Sequence, residues 1–230
     1  MKLLNIYQQL VILSQGGTIR ELQIFGELFK KEIFINGIID EIRLNEEGKI
    51  EIRELKTRSR DSMPAKSQHS KNELQVAIYQ KLLNDLLIKK TGLGMIKKYV
   101  SLKWEEKVNG HVQEYSEELL LPCETLNDTY NALEHFLEIT KFPDFGDAVI
   151  EYCYQNDKTT IGTYLFEYDE DWLEGVLVKQ FEYLMGDRTP SGVDIEEAWK
   201  CLNCDYNEVC SWRQKHEEQC RRKNAINFAS

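Results

Sequence analysis

The 230-residue sequence lacks any run of about 18 apolar residues, so it predicts no transmembrane helix. It also lacks linker-like tracts, disordered composition and internal repeats, which leaves one domain with a small appendage as the default organisation. An excess of basic residues is absent too, because 39 acidic residues outnumber 29 basic ones and give a net charge of -10. That charge argues against a protein that coats nucleic acid by bulk attraction.

Any DNA contact must therefore come from local basic clusters. The chain has two, and the competing interpretation is that both are ordinary solvated surface charges. The first cluster comprises Lys56, Arg58, Arg60, Lys66 and Lys71, and the second comprises Arg213, Lys215, Arg221, Arg222 and Lys223.

The N-terminal residues 1–17 lack the small-residue cleavage site of a signal peptide, and polar residues interrupt their apolar stretch. We interpret them as a core helix over residues 3–13 that stops before Gly16 and Gly17. Without a signal peptide, the six cysteines indicate a reducing compartment, where thiols more often serve metals or chemistry than disulfides.

Mostly β-branched, alternating apolar residues predict a β-hairpin with strands at 33–44 and 50–56. The capping-box spacing of Ser70 and Glu73 predicts the start of a helix of about five turns. Strands mixed with helices predict an α/β or α+β domain, with helices packed on a central mixed sheet. Further strands are predicted around 95–104, 112–121, 148–154 and 161–168, and further helices around 126–137 and 173–184, the last ended by Gly186.

The hairpin carries the chemistry. The register that pairs Leu44 with Ile50 and Ile42 with Ile52 places apolar residues beside each other. It puts Asp40 opposite Glu54, with their Cβ atoms about 5 Å apart. Lys56 lies two residues beyond Glu54 and so shares its face, opposite Ile38.

Two carboxylates held this close repel each other unless a cation lies between them. Oxygen ligands such as Asp40 and Glu54, with open positions for water and phosphate, suit Mg²⁺ or Mn²⁺ rather than zinc. Lys56 can position the attacking water and stabilise developing negative charge. The competing interpretation is an exposed strand pair whose acids merely form ion pairs with the lysine.

Gln75 and Tyr79 lie four residues apart and so on one face of the next helix, about twenty residues after Lys56. They are either part of the same site or ordinary helix-surface residues.

Near the C-terminus, Cys201, Cys204 and Cys210 are separated by two and then five residues, in a polar segment. This spacing indicates a metal or cluster site, and it leaves zinc and iron–sulfur both open. Cys220 lies farther along, while Cys123 and Cys153 are interpreted as buried small hydrophobes.

Together these residues resemble the exonuclease V (defects-in-morphology) family, a branch of the RecB-like PD-(D/E)XK nucleases. The resemblance covers about residues 2–213. It is carried by four segments of the sequence, Gly37–Glu41, Glu54–Arg58, Gln75–Tyr79 and Gly192–Trp212.

The resemblance implies a PD-(D/E)XK core over residues 1–190 and an iron–sulfur segment over 191–230. It implies an Mg²⁺-dependent exonuclease that cuts single-stranded DNA from an end, releases short oligonucleotides and acts in DNA repair and genome maintenance. The implied roles are Mg²⁺ ligands (Asp40, Glu54 and the Leu55 carbonyl), catalytic lysine (Lys56), supporting or DNA-binding residues (Gln75, Tyr79, Arg58) and [4Fe-4S] ligands (Cys201, Cys204, Cys210).

In this family the fourth cluster cysteine lies upstream of the nuclease core, whereas here no cysteine precedes Cys123. We therefore expect an N-terminally shortened chain, with Cys220 the remaining candidate for fourth ligand. The alternatives are a catalytically impaired, nuclease-fold DNA-binding protein and a zinc-knuckle interaction protein. The expected partners are single-stranded DNA and a single-strand DNA-binding protein, and no membrane is expected. We expect a monomer. Its expected compartment is the nucleus, or else the cytosol, because the sequence lacks a transit peptide for mitochondria.

Overall fold

The computed structural model describes residues 1–29, 33–189, 192–193 and 195–218. It divides into two compact units, Met1–Gly175 and Val176–Ser230. The first unit is a mixed α/β structure built on a five-stranded sheet in the order β1-β2-β3-β4-β5. Neighbouring strands are antiparallel except for β3 and β4, which run parallel. The strands are β1 (Ile19–Glu27), β2 (Phe34–Leu44), β3 (Ile50–Arg58), β4 (Ala148–Tyr154) and β5 (Thr160–Phe166).

A parallel pair requires a long crossover, and here four helices fill the connection from β3 to β4. The helix that follows β3 packs against β1, β3 and β4, so it lies directly beside the strand that carries Glu54 and Lys56. The helices are α1 (Lys2–Ser14), α2 (Lys66–Leu87), α3 (Gly94–Tyr99), α4 (Gly110–Glu118), α5 (Leu126–Ile139) and α6 (Glu170–Leu184).

The N-terminal segment is the core helix that its apolar spacing predicts. Leu3, Leu4, Ile6, Leu10 and Leu13 are buried along α1, which contacts β1, β2 and α5. Burying such side chains contributes roughly 1.5–3 kcal/mol each, so α1 fixes one side of the sheet.

The predicted hairpin and its register are confirmed. Leu44 pairs with Ile50 and Ile42 with Ile52, and the antiparallel ladder of β2 and β3 reaches Glu41 opposite Arg53. Ile42, Ile50 and Ile52 are fully buried, which favours this register over a slip of one residue.

The predicted strands at 95–104 and 112–121 are wrong, because these segments contain α3 and α4. The Asn109 side chain accepts a hydrogen bond from the Val112 N–H and caps the first turn of α4. Val112 and Tyr115 then reach the same small cluster around Leu4 and Cys123, which is a helical spacing rather than strand alternation.

The capping box predicted at Ser70 is also wrong. Helix α2 begins five residues earlier, after Ala65, and the Ser70 hydroxyl donates within the helix to the Lys66 carbonyl. A true capping box opens α5, where Thr125 and Asp128 exchange hydrogen bonds.

The second unit contains the end of α6, a 3₁₀ helix (Ile195–Asn203) and helical residues 211–218. Gly186 follows α6 with φ of +83°, as its predicted stop requires. Gly192 lies so close to the Trp212 indole that a Cβ atom would come within 2.0 Å of the ring. None of the helices in the described ranges is long and apolar enough to cross a membrane.

Candidate active site

Glu54 and Lys56 form the centre of the site on β3. Their side chains share one face of the strand, as predicted, and Lys56 Nζ lies 2.6 Å from Glu54 Oε1. The Glu54 side chain is 4% exposed and that of Lys56 is 25% exposed. The lysine therefore reaches solvent while it neutralises part of a buried carboxylate.

Helix α2 contributes Gln75 to the same cluster. Gln75 Oε1 accepts a hydrogen bond from Lys56 Nζ at 2.7 Å, and Gln75 Nε2 donates to Glu54 Oε1 at 2.9 Å. Gln75 Nε2 also lies 3.1 Å from the Tyr79 hydroxyl, one helical turn later. The Gln75 amide thus bridges Glu54 and Lys56, and the Tyr79 hydroxyl accepts a further hydrogen bond from it.

Asp40 is joined to the site through the backbone of β3. Its Oδ2 atom accepts a hydrogen bond from the Leu55 N–H at 2.8 Å, just beyond the last pair of the β2–β3 ladder. The charge of Asp40 is close enough to raise the pKa of Glu54, but the β2–β3 ladder ends one pair before these residues, so their direct pairing stays a prediction.

The electrostatics of Glu54 indicate an incomplete site. Burial raises the pKa of Glu54, and the charge of Asp40 raises it further, although Lys56 and Gln75 oppose the shift. Glu54 Oε2 is buried and accepts no hydrogen bond from any described residue. A buried carboxylate oxygen without a partner is costly unless a cation supplies the missing interaction.

These donors fit a divalent cation with oxygen ligands. The unpartnered oxygen of Glu54, the carboxylate of Asp40 and the Leu55 carbonyl are the hard ligands that Mg²⁺ and Mn²⁺ prefer. The set contains only two charged side chains, and the described residues contain no group of three His, Cys, Asp or Glu that could hold a metal ion. Water and substrate oxygens would therefore have to complete the coordination.

Asp40, Glu54 and Leu55 line one end of an open cleft of about 510 Å³. Arg53 and Glu151 line the same cleft and belong to a charged network that the sequence does not predict. Arg53 Nη2 lies 2.8 Å from Glu151 on β4, and Arg53 Nη1 lies 3.1 Å from Glu51. The opposite charges of Glu51 and Arg53, two residues apart, indicate an ion pair on one face of β3. The third member, Glu151, cannot be predicted in the same way because its position depends on the pairing of β3 with β4.

Arg58, a predicted DNA contact, is engaged within the protein. Its Nε donates to the Ser62 carbonyl at 2.7 Å and its Nη1 donates to Gln68 Oε1 at 3.1 Å. It therefore stabilises the loop between β3 and α2, in which Arg60 is exposed. A DNA contact by Arg58 stays a prediction.

The predicted cluster ligands lie in the second unit. Cys204 is exposed, Cys201 and Cys210 are half-buried, and the described part of the chain does not gather the three thiols into a metal-binding group. As they stand, these positions do not fit a cluster, and the iron–sulfur assignment stays a prediction. Cys220 and three basic residues of the second cluster (Arg221, Arg222, Lys223) lie outside the described residues, whereas Cys123 and Cys153 are buried as predicted.

Comparison with known proteins supplies a family. The family model described as "Exonuclease V - a 5' deoxyribonuclease" matches residues 1–49, 43–135 and 101–213. Exonuclease V of Danio rerio is 33% identical over 214 residues, which cover 93% of this chain and 54% of the relative. The chain thus spans about half the length of that relative. The crystal structure of SSO0001 aligns with a TM-score of 0.40 and 14% identity, covering 91% of this chain and 68% of that one.

The match of the family model extends over most of the chain and includes the segments that carry Asp40, Glu54, Lys56 and Gln75. This chain therefore belongs to the exonuclease V family.

Proposed function

We propose that this chain is an Mg²⁺-dependent deoxyribonuclease with a PD-(D/E)XK core, which cuts single-stranded DNA from a 5′ end and releases short oligonucleotides. Membership of a family described as a 5′ deoxyribonuclease supports the choice of DNA and of the end. The single-strand preference and the core type follow from the resemblance of the sequence motifs to that family.

One observation carries the proposal: Glu54 Oε2 is buried without a hydrogen-bond partner among the described residues, while Glu54 Oε1 is held by Lys56 and Gln75. A purely structural glutamate at this depth would have both oxygens satisfied. One occupied and one open oxygen is the arrangement expected of a carboxylate that binds a metal ion.

Asp40, Glu54 and the Leu55 carbonyl would hold the cation. When bound, Mg²⁺ would lower the pKa of a water ligand and offset negative charge that develops on the phosphate. The Leu55 N–H fixes the Asp40 carboxylate through a 2.8 Å hydrogen bond, so this ligand is oriented before substrate arrives.

Lys56 supplies the positive charge on the substrate side. Its ammonium is partly exposed and is held by Glu54 Oε1 and Gln75 Oε1, so its remaining N–H group can orient a water or contact a phosphate oxygen. Preorganised charge of this kind typically accounts for about a hundredfold or more in rate.

The test is cleavage of 5′-labelled single-stranded DNA, with and without Mg²⁺, by the wild-type protein and by Asp40→Asn, Glu54→Gln and Lys56→Met. We expect each substitution to reduce cleavage at least about a hundredfold while DNA binding stays within a few-fold. Matched controls from the same hairpin are Glu47→Gln and Lys49→Met, an exposed ion pair in the turn, which should leave the rate unchanged.

Cleavage by Asp40→Asn at the wild-type rate would remove this site from consideration. Metal-dependent DNA binding without any cleavage by the wild-type chain would instead support the alternative of a catalytically impaired DNA-binding protein. Internally cut products, rather than short fragments from the 5′ end, would overturn the exonuclease assignment.

The wider role is proposed on the same resemblance: DNA repair and genome maintenance in the nucleus, by a monomer that meets single-stranded DNA coated by a single-strand DNA-binding protein. Size-exclusion chromatography with light scattering tests the monomer. Cleavage of DNA precoated with such a protein tests the partner, because a true partner should sustain or accelerate cleavage rather than block it.

A further inference from the structure

Tyr152 on β4 is a fully buried tyrosine whose polar end faces α2. The residue is 1% exposed, and its hydroxyl lies 2.6 Å from His69 Nδ1 and 2.9 Å from Asn72 Nδ2. Burial of a hydroxyl is costly unless it is hydrogen-bonded, and here two residues of one helix bond to it. The contact therefore fixes the first turns of α2 to strand β4.

The donors and acceptors of this contact are complementary. Asn72 Nδ2 can only donate, so the Tyr152 hydroxyl accepts from it and is free to donate its own proton to His69 Nδ1. The other ring nitrogen, His69 Nε2, has no hydrogen-bond partner among the described residues, although Glu73 Oε1 lies 3.5 Å away. The Tyr164 ring packs edge-on against His69 with ring centroids 4.0 Å apart, which restricts the imidazole further.

The position of this contact links it to the active site. In the parallel β3–β4 pair, Tyr152 lies directly beside Lys56. On α2, Asn72 precedes Gln75 by three residues, a rise of about 4.5 Å along the helix axis. The His69, Asn72 and Gln75 side chains thus lie on one stripe, roughly a third of the helix circumference wide, that faces the sheet.

We infer that Tyr152 is a positioning residue: its hydroxyl, held by His69 and Asn72, sets α2 so that the Gln75 amide bridges Glu54 and Lys56. The inference rests on the proposed function, since it assigns Tyr152 to the same site. Because Tyr152 is 1% exposed, we expect it to have no direct contact with substrate. It acts only through Gln75, whose two hydrogen bonds of 2.7 and 2.9 Å require a fixed distance between helix and strand.

The expected effect is large because the geometry is tight. A displacement of about 1 Å at a catalytic group can reduce a rate about a hundredfold. Tyr152→Phe removes one oxygen and keeps the ring, so α2 loses two hydrogen bonds to the sheet while the core keeps its volume. We expect kcat to fall at least about tenfold, with KM changed by less than about threefold, since the substitution changes none of the basic side chains proposed to contact DNA.

The experiment is a double-mutant cycle. Cleavage of 5′-labelled single-stranded DNA and Mn²⁺ affinity, followed by the electron paramagnetic resonance signal of the free ion, are measured for wild type, Tyr152→Phe, Gln75→Ala and the double variant. Tyr154→Phe is the matched control, because this tyrosine lies on the same strand and its hydroxyl bonds to Asn156 alone in the described structure. Thermal unfolding is recorded for each protein.

If Tyr152 acts through Gln75, Tyr152→Phe should weaken cleavage in the wild-type background and add less than about twofold in the Gln75→Ala background. Equal losses in both backgrounds, or a loss equal to that of Tyr154→Phe, would overturn the inference while leaving the proposed function intact. If Tyr152→Phe does not fold, Asn72→Ala replaces it in the same cycle and removes one of the two bonds. A wild-type chain that neither cleaves DNA nor binds Mn²⁺ would overturn the proposed function, and the positioning role with it.

Discussion

Asp40 and Leu55 are joined by a hydrogen bond in which the Leu55 N–H donates to the Asp40 carboxylate at 2.8 Å. The antiparallel pairing of β2 and β3 reaches Glu41 and Arg53, so this side-chain contact follows directly after the last backbone pair. In a strand, the N–H and C=O of one residue point towards the same edge. The bond that fixes Asp40 therefore also directs the Leu55 carbonyl towards the proposed metal.

The first prediction concerns the cost of the buried acid. Burial raises the pKa of Glu54, so the metal-free site disfavours the charged form of this carboxyl. We expect Glu54→Gln to unfold at the same temperature as wild type or higher when Mg²⁺ is removed, while Mg²⁺ raises the unfolding temperature of wild type alone. At a concentration of about 100 times Kd, binding should stabilise wild type by about 2.7 kcal/mol. Differential scanning calorimetry of both proteins, with EDTA and with Mg²⁺, measures the unfolding temperatures and the shift that Mg²⁺ causes.

Glu47→Gln is the control for this measurement, because Glu47 lies in the exposed turn of the hairpin and should retain the full Mg²⁺ effect. An Mg²⁺-induced shift in Glu54→Gln equal to that in wild type would place the ion elsewhere.

The second prediction concerns the space between β2 and α2. A Cβ atom at Gly37 would lie 2.7 Å from Tyr79 Cε1 and 3.2 Å from its hydroxyl oxygen. We expect Gly37→Ala to push the Tyr79 ring aside, to cost about 1–3 kcal/mol in stability, and to weaken cleavage because Tyr79 no longer supports Gln75. Gly94→Ala, where no atom lies within 4 Å of the added carbon, should change neither quantity much. Urea unfolding measures the stability of both variants, and the cleavage assay measures their activity. Equal stability and equal activity of Gly37→Ala and Gly94→Ala would show that the Tyr79 ring can move aside without cost.

The sequence alone predicts the hairpin and its acids because one physical constraint determines them. Alternation puts Glu54 and Lys56 on one face, and apolar matching selects the register that brings Asp40 to them. Helix α2 is recognised from its apolar stripe, although its start at Lys66 is missed because the capping residue there, Ala65, gives no side-chain signal.

What the sequence does not predict depends on irregular backbone or on contacts distant along the chain. The sequence does not predict strand β1. Because Glu21 has φ of +54°, the buried Ile19 and Leu22 are three residues apart, and the two-residue alternation typical of a strand is interrupted. The Tyr152–His69 contact joins residues far apart in sequence and depends on the parallel β3–β4 pairing. No local pattern carries either feature.

The third prediction concerns the C-terminal cysteines. The resemblance to the exonuclease V family predicts a [4Fe-4S] cluster on Cys201, Cys204 and Cys210, whereas the described residues do not gather these thiols. Loading with iron must therefore rearrange the segment and protect its amides from hydrogen exchange. We expect anaerobically purified protein to be brown and to lose both colour and iron on Cys204→Ser, but not on Cys123→Ser, since Cys123 is buried in the first unit. A colourless protein with one bound zinc would establish the zinc-knuckle alternative instead.

The last prediction concerns how an acidic protein holds DNA. With a net charge of -10, the chain gains nothing from bulk attraction, so binding must rely on local basic side chains such as Arg60 and Lys66, which are exposed in the segment after β3. Contacts between such side chains and phosphates release counterions, and for single strands the logarithm of the binding constant should fall with the logarithm of salt concentration by about 0.7 per contact.

We expect affinity to fall steeply with salt, and Arg60→Gln and Lys66→Gln each to reduce that slope by about 0.7. Lys103→Gln removes an exposed lysine from the loop between α3 and α4, outside both basic clusters, and should leave the slope unchanged. Fluorescence anisotropy of a labelled oligonucleotide at several salt concentrations, with EDTA to prevent cleavage, gives the slope directly. Binding that does not vary with salt would exclude the phosphate contacts, because neither base stacking nor shape alone produces a counterion-release slope.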